Sequence, residues 1–152
     1  MGGDGMKSYE LELTERAKAA EKQIVGLETA EFQMSLFDSI PYTAQAKMLL
    51  ETIRSGEGEE DEEETSAMDQ MIELYTTQDI IGMQSLISDD PAGIGGYEEL
   101  LLLKRNRNWI PVMEELMTKE TVFFAVGAGH LAGDEGVIAL LRKAGYTMTP
   151  VD

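Results

Sequence analysis

The segment from Thr121 to Asp152, TVFFAVGAGHLAGDEGVIALLRKAGYTMTPVD, determines how the rest of the chain is interpreted. Residues 121–126 are an unbroken run of strand-forming residues, typical of a strand buried on both faces in a parallel sheet. The glycine-rich turn that follows carries His130, the only histidine of the chain, and a helix and a short second strand at 146–151 complete the segment. A strand, helix and strand joined this tightly predict a right-handed crossover, whose ligands collect at the carboxyl ends of the strands. We therefore expect His130 to lie at a ligand-binding edge.

The helix inside this segment is predicted from apolar residues that recur at helical spacing. Asp134 is the expected N-cap, and Gly145 suits the left-handed conformation that often ends a helix. These two residues set the predicted limits of the helix.

A third strand and several helices are predicted upstream. Residues 23–28 have the Ile-Val core of a short strand, and Thr29 is placed to cap the helix after it. Glu28 then stands at the carboxyl end of a strand, as His130 does. The chain, 1–152, is therefore predicted to be a single α/β domain, with a small, largely parallel sheet of two or three strands that is covered by about six helices and ends in a β-α-β unit.

A long helix over 97–117 contains an arginine on its apolar side. Leu101, Arg105 and Trp109 are four residues apart and share one face, so Arg105 interrupts an apolar stripe. A buried guanidinium without an anion costs several kcal/mol, and Glu28 at the strand end is the obvious partner. The pair either orders the core or belongs to a site. A third possibility is that the arginine stem reaches water past Trp109.

Three stretches, taken in order, resemble the TraB/GumN family, whose animal relatives are the Tiki metalloproteases. The sequence Ile24–Thr29 followed by Gln33 resembles the GLET…Q segment of the family, and Leu103–Trp109 resembles its RN-x-x-W helix. The C-terminal GxxH signature of the family corresponds to Gly127-x-x-His130, followed by a Gly-Asp-x-Gly turn. Together the three stretches span nearly the whole chain.

The resemblance implies a metal-dependent peptidase or hydrolase. It makes His130 and Glu28 metal ligands or polarising groups, and it makes Arg105 the group that binds a carboxylate or stabilises a developing oxyanion. A peptide or protein is the implied substrate, and the implied cofactor is a divalent metal. Supporting roles fall to Gly127, Gly129, Asn106 and Trp109.

The family pattern also contains an earlier GxxH motif, whereas this sequence has one histidine. We therefore expect the chain to be the C-terminal half of a family domain and to be inactive alone. The metal is expected in the parent protein, and no cofactor is firmly expected in this chain, because one histidine and one glutamate supply only part of the usual three-ligand set.

Two other functions remain open from the sequence. Gly127-x-Gly129-x-x-Ala132 matches a dinucleotide-binding fingerprint, with Asp152 placed where an acid meets a ribose. The chain is alternatively a non-catalytic interaction or regulatory module that binds a partner through its helices and its acidic loop.

Composition narrows the range of partners. The chain has 12 basic and 29 acidic residues and a net charge of −17, which argues against nucleic acids and anionic membrane surfaces. It has no cysteine, which leaves the compartment undetermined. It also has no apolar run long enough to span a membrane and no secretory signal, so we expect any export signal or membrane anchor to belong to the parent protein. Residues 57–65 are predicted to be a flexible acidic loop. A homodimer is expected to cover apolar sheet surface left by the absent half.

Overall fold

The computed structural model describes residues 8–57, 67–89 and 94–151, and their regular secondary structure is helical. The α-helices in these ranges are Tyr9–Ala19 (α1), Ala30–Asp38 (α2), Tyr42–Glu57 (α3), Ala67–Thr76 (α4), Ile80–Ser88 (α5), Lys104–Met117 (α6) and Val137–Lys143 (α7). Short 3-10 turns lie at Ile94–Tyr97 and Ala128–His130, and a π-helical turn lies at Glu99–Leu103. Among the described helices, none combines the length and apolar character needed to cross a membrane. The predicted acidic loop lies outside the described residues except for Glu57, the last residue of α3.

Capping side chains begin three of the helices. The hydroxyl of Ser8 accepts a hydrogen bond from the N–H of Leu11 at 3.3 Å, and the hydroxyl of Thr29 accepts one from the N–H of Phe32 at 3.1 Å. Asp79 caps α5 in the same way. Each such cap stabilises its helix by about 1 kcal/mol. The predicted cap at Thr29 is confirmed.

The predicted start of the last helix is wrong, whereas its predicted end is confirmed. α7 begins at Val137 and no side chain caps it, so Asp134 is not its N-cap. A second tight turn precedes it, in which the N–H of Gly136 donates to a carbonyl three residues earlier. Gly145 follows α7 with a φ of 98°, the left-handed conformation expected of a glycine at a helix end.

The predicted parallel sheet is wrong. Within the described part of the chain no strand forms at 23–28, 121–126 or 146–151. A strand needs a neighbour about 4.8 Å away with which to exchange backbone hydrogen bonds. None of these segments bonds its backbone to another of the three. The α/β class and the β-α-β crossover are therefore not seen, and the unit is helical with three irregular segments.

Burial along 121–126 shows how this segment differs from a doubly buried strand. Val122, Phe124 and Val126 are half-buried, whereas the residues between them are exposed, and Phe123 is 78% accessible. The period-two pattern belongs to a segment with one covered face. The sequence run predicts burial on both faces because the exposed positions are as apolar as the covered ones.

The core lies between α6 and α7. Its buried side chains are Trp109, Met113, Val137 and Leu141. All three irregular segments contribute half-buried residues to this core, namely Leu27, Phe124, Val126, Tyr146 and Met148. The segments predicted as strands therefore pack around one helix pair, although they do not pair with each other.

The helix predicted over 97–117 is present from Glu99 onward but changes type within its length. Its first part is the π-helical turn Glu99–Leu103, which continues directly into α6. α6 then runs through Pro111 to Met117. A π-turn inside a helix shifts the register of the backbone hydrogen bonds and is frequent at functional sites. In this chain the shift comes just before Arg105.

Candidate functional site

Arg105 forms the ion pair with Glu28 that the sequence predicts. Its Nη2 lies 2.6 Å from Oε1 of Glu28, and its Nε lies 3.0 Å from Oε1 and 3.2 Å from Oε2. Both side chains are 14% exposed. Glu28 comes from the bend just before α2, and Arg105 comes from the first turn of α6. Two parallel N–H donations to one carboxylate give a strong and directional ion pair.

Trp109 holds the same carboxylate from one helical turn further along α6. Its Nε1 donates to Oε2 of Glu28 at 3.0 Å, and Cζ of Arg105 lies 5.0 Å from the centroid of its ring. Both oxygens of Glu28 therefore accept hydrogen bonds from α6. The four-residue spacing of Arg105 and Trp109 makes this possible, because it stacks the two side chains on one face.

The remaining donors of Arg105 connect the π-turn to the histidine. Nη1 donates to the carbonyl oxygen of Leu101 at 2.9 Å and lies 3.4 Å from Nε2 of His130. The three residues predicted for the site, Glu28, Arg105 and His130, therefore converge although they are far apart in sequence.

His130 is buried beneath Trp109 and bonded to Asn106. The rings of His130 and Trp109 have centroids 4.5 Å apart, and His130 is 7% exposed. Its Nδ1 lies 2.6 Å from Oδ1 of Asn106. The 3-10 turn at 128–130 presents the imidazole toward α6.

The pKa of His130 is lowered from 6.5 to about 4. Burial of the ring is the largest cause, because an apolar surrounding disfavours the charged imidazolium. The positive charge of Arg105 lowers the pKa further, and the carboxylate of Glu28 partly opposes this. His130 is therefore neutral at pH 7, as a metal ligand or a general base must be.

The two glycines of the GxxH turn differ in what they contribute. A Cβ at Gly129 would lie 3.1 Å from Cδ1 of Ile87, so this glycine allows the turn to approach α5 closely. A Cβ at Gly127 would meet only Cδ2 of His130, at 3.8 Å, and its φ of −61° suits any residue. The close approach of this turn to α5 thus depends on Gly129.

Two features of the site were not predicted from the sequence. The backbone carbonyl of Glu135 accepts from Nδ2 of Asn106 at 2.9 Å, which ties the turn before α7 to α6. Arg107 bridges the carboxylates of Glu99 and Glu135 on the outer side of α6. The RNRN sequence of residues 105–108 could have indicated the second of these features. Residues two apart on a helix face different sides, so Arg107 does not share the face of Arg105.

The described residues do not supply a complete metal site. No group of three or more His, Cys, Asp or Glu side chains in these ranges is arranged to hold a metal. His130 fits as one ligand, because Nδ1 is engaged by Asn106 and Nε2, which lies 3.4 Å from Nη1 of Arg105, is the nitrogen that would face a metal. Glu28 has both oxygens bonded to Arg105 and Trp109, so its role as a metal ligand stays a prediction.

The dinucleotide fingerprint lacks the local geometry that its function needs. Such a motif connects a strand directly to the first turn of a helix, whose N–H groups bind the pyrophosphate. Here no strand precedes Gly127, and a second turn separates Ala132 from the start of α7 at Val137. Asp152 lies outside the described residues. The local structure gives no support to nucleotide binding.

Fold and site together define a small helical unit in which a buried, neutral histidine lies beside an arginine–glutamate ion pair. The model of the TraB/PrgY/gumN family matches residues 2–150 of this chain. The chain belongs to that family, and the resemblance predicted from the three motifs is confirmed.

Two curated relatives are metalloproteases by name. Metalloprotease TIKI1 of Danio rerio is 24% identical over 171 aligned residues, which cover 93% of this chain and 33% of the relative. The Metalloprotease TIKI homolog of Amphimedon queenslandica is 30% identical over 73 residues, which cover 43% of this chain and 14% of the relative. The chain thus spans a third or less of the length of either relative. No solved structure matches it significantly.

Proposed function

We propose that this chain contributes part of the active site of a metal-dependent peptidase acting on a peptide or protein. The proposal extends to this chain the activity stated in the names of its two relatives. The observation that carries it is the convergence of Glu28, Arg105 and His130, since Arg105 contacts a residue 77 positions before it and one 25 positions after it. Such a cluster of charged and titratable groups beside a neutral imidazole is typical of a catalytic centre.

Each residue has a distinct role in this proposal. His130 supplies a metal ligand through Nε2, and the bound metal would activate water and polarise the scissile carbonyl. Arg105 binds a substrate carboxylate or stabilises the oxyanion that develops. Glu28 holds Arg105 and balances its charge, so a cation near Nε2 of His130 does not face an uncompensated guanidinium. The proposal also includes Glu28 as a metal ligand beside His130.

We further propose that the 152-residue chain is inactive by itself. A catalytic zinc site commonly uses three protein ligands and one open position. This chain has one histidine and no cysteine, and its described residues contain no three-ligand group. The other ligands would come from a part of the parent protein that this chain does not contain.

The experiment compares peptide cleavage by the purified chain and by the full-length parent, each with added Zn²⁺, Mn²⁺ or Co²⁺. We expect turnover only in the parent, with a loss of at least about 100-fold in Glu28→Ala and His130→Ala variants. Asn108→Ala is the matched control, because Asn108 is exposed on the same helix as Arg105. Turnover by the chain alone would contradict the ligand count, and an active His130→Ala parent would contradict the site.

A homodimer is the third part of the proposal. Large apolar side chains are exposed on several elements of the described chain, and Tyr42, Leu49, Phe123 and Val151 are 85%, 62%, 78% and 95% accessible. Association that covers these side chains removes apolar surface from water at about 25 cal/mol per Å². These exposed side chains also suit the alternative in which the chain is an interaction module that binds a partner.

A further inference from the structure

Asn106 is the most completely buried polar side chain near the site. It is 1% exposed, and each of its polar atoms has a partner. Its Nδ2 donates to the backbone carbonyl of Glu135 at 2.9 Å and to that of His130 at 3.4 Å. Its Oδ1 lies 2.6 Å from Nδ1 of His130. One side chain therefore contacts both the backbone and the ring of the same histidine.

These contacts determine which way the amide of Asn106 faces. Backbone carbonyls only accept hydrogen bonds, so the NH₂ group must face Glu135 and the carbonyl of His130. The amide oxygen then faces Nδ1 of His130, and because that oxygen can only accept, Nδ1 must carry the proton. A flipped amide would place its oxygen against two carbonyl oxygens.

The opposite side of the imidazole supports the same assignment independently. Nη1 of Arg105 lies 3.4 Å from Nε2 of His130. A guanidinium has donors and no acceptor, so Nε2 must present a lone pair to it. A proton on Nε2 would instead point at the N–H groups of Arg105. Both ring nitrogens thus favour the same tautomer.

We propose that Asn106 is a positioning residue that holds His130 in the Nδ1–H tautomer and directs the Nε2 lone pair into the candidate site beside Arg105. The purpose of this arrangement rests on the proposed function, because only an unprotonated Nε2 can bind a metal or accept a proton there. An amide suits this role better than a carboxylate. Asp at this position would stabilise an imidazolium, which would occupy the lone pair and repel Arg105.

The test measures the tautomer directly. His130 is the only histidine of the chain, so the ring nitrogens of a ¹⁵N-labelled sample give one unambiguous set of imidazole signals. At pH 7.5 we expect a protonated, pyrrole-type Nδ1 and an unprotonated, pyridine-type Nε2. Asn106→Leu removes the acceptor at nearly constant size, and we expect the two shifts to move toward each other as both tautomers become populated. Asn106→Asp keeps an acceptor for Nδ1–H, so Nδ1 should stay protonated, while the added negative charge should move the Nε2 shift toward that of an imidazolium.

Controls separate positioning from folding. Asn108→Leu changes an exposed asparagine of the same helix and should leave both ring shifts unchanged. Helical circular dichroism confirms that each variant is folded. If Asn106→Leu does not fold, Asn106→Ser replaces it, because its hydroxyl is one bond too short to reach Nδ1. An Nε2–H tautomer in the unmodified chain would overturn the inference, as would an unchanged spectrum in a folded Asn106→Leu or Asn106→Ser variant.

The outcome is independent of whether the parent is a peptidase. The tautomer is read without metal, substrate or turnover, so the inference can fail while the proposed function stands. In the full-length parent, Asn106→Leu should weaken metal affinity by roughly 10- to 100-fold. If the tautomer shifts but metal affinity does not, Asn106 still positions His130 and the proposed metal role fails instead.

Discussion

The guanidinium of Arg105 is tolerated in a mostly buried position because acceptors surround it. Glu28 supplies two carboxylate oxygens, Leu101 supplies a carbonyl and His130 supplies a ring nitrogen. A guanidinium removed from water without such partners would cost several kcal/mol. Most of its donors are therefore bound by the chain itself, and a ligand that used them would have to share or replace a contact in the site.

The ion pair gives the first prediction at this scale. Glu28→Gln removes the charge but keeps the shape, leaving Arg105 mostly buried without its counter-ion, and should lower the free energy of unfolding by about 2–3 kcal/mol. Urea denaturation measures the change. Glu115→Gln is the control, because Glu115 of α6 pairs with Lys119 just beyond the helix end and both side chains are exposed, so no measurable loss is expected. Equal effects of the two substitutions would contradict the importance of the buried pair.

The pH dependence of stability gives the second prediction. The pKa of His130 is about 4 in the folded chain and close to 6.5 when unfolded, so the unfolded chain binds its proton first as the pH falls. The stability due to neutral His130 is fully present above pH 6.5, and about 2 kcal/mol of it should be lost at pH 5.

Comparison with a non-titrating variant isolates this effect from the many carboxylates. Unfolding free energies of the unmodified chain and of His130→Gln are measured between pH 7.5 and 5, which stays above the isoelectric point near 4.3. The unmodified chain should lose stability more steeply over this range. Parallel curves would show that the folded chain does not depress the pKa of His130.

Sequence patterns predicted the central contacts of the site but not their surroundings. The i, i+4 spacing placed Arg105 and Trp109 on one face, and an inward arginine needs an anion, so Glu28 could be identified as its partner. The contact of Asn106 with Glu135 could not be predicted in this way. It depends on the path of the turn after His130, which brings a backbone carbonyl, and no particular side-chain type, to Asn106.

At the scale of elements, the turn that precedes α7 leaves no room for a side chain at Gly136. A Cβ at Gly136 would lie 2.1 Å from the carbonyl oxygen of Ala132, which is backbone and cannot rotate away. The turn thus fixes how α7 follows the histidine. Asp134 does not cap α7 because the chain makes a further turn after it before the helix begins at Val137.

Three glycine-to-alanine substitutions between residues 127 and 136 give the third prediction. Gly136→Ala should destabilise by roughly 2–4 kcal/mol, because the backbone must shift to relieve the clash. Gly129→Ala should have a smaller effect, since Cδ1 of Ile87 can move. Gly127→Ala should be neutral or slightly stabilising, because its backbone suits any residue and alanine restricts the unfolded chain. Thermal and urea unfolding give the ranking, and a loss at Gly127 equal to that at Gly136 would contradict it.

The missing strands show what sequence patterns leave undetermined at this scale. The strand-forming residues of 121–126 predict a buried strand, and the structure instead packs one face of this segment against the core between α6 and α7. Whether such a segment becomes a strand depends on a neighbouring segment that exchanges backbone hydrogen bonds with it. The presence of such a neighbour is decided by the rest of the fold and cannot be derived from the residues of the segment itself. Helix starts are more predictable where the capping hydrogen bond joins residues close in sequence, as at Thr29.

Two opposing forces act on the molecule as a whole. Exposed apolar side chains on α1, α3 and the irregular segments favour association. A net charge of −17 opposes it, because copies of the chain repel each other. Salt weakens the repulsion, as the Debye length falls from about 30 Å at 0.01 M to about 3 Å at 1 M ionic strength, while apolar burial is not screened.

Self-association should therefore increase with salt concentration, which is the fourth prediction. Sedimentation velocity should show a monomer–dimer equilibrium that shifts toward the dimer as NaCl is raised. Phe123→Asp should weaken the dimer, because it places a charge in the exposed row of 121–126, where Phe123 is 78% accessible. Asn108→Asp adds the same charge on the exposed side of α6 and is the matched control. A monomer at every salt concentration would exclude self-association, and equal effects of the two substitutions would place the interface away from 121–126.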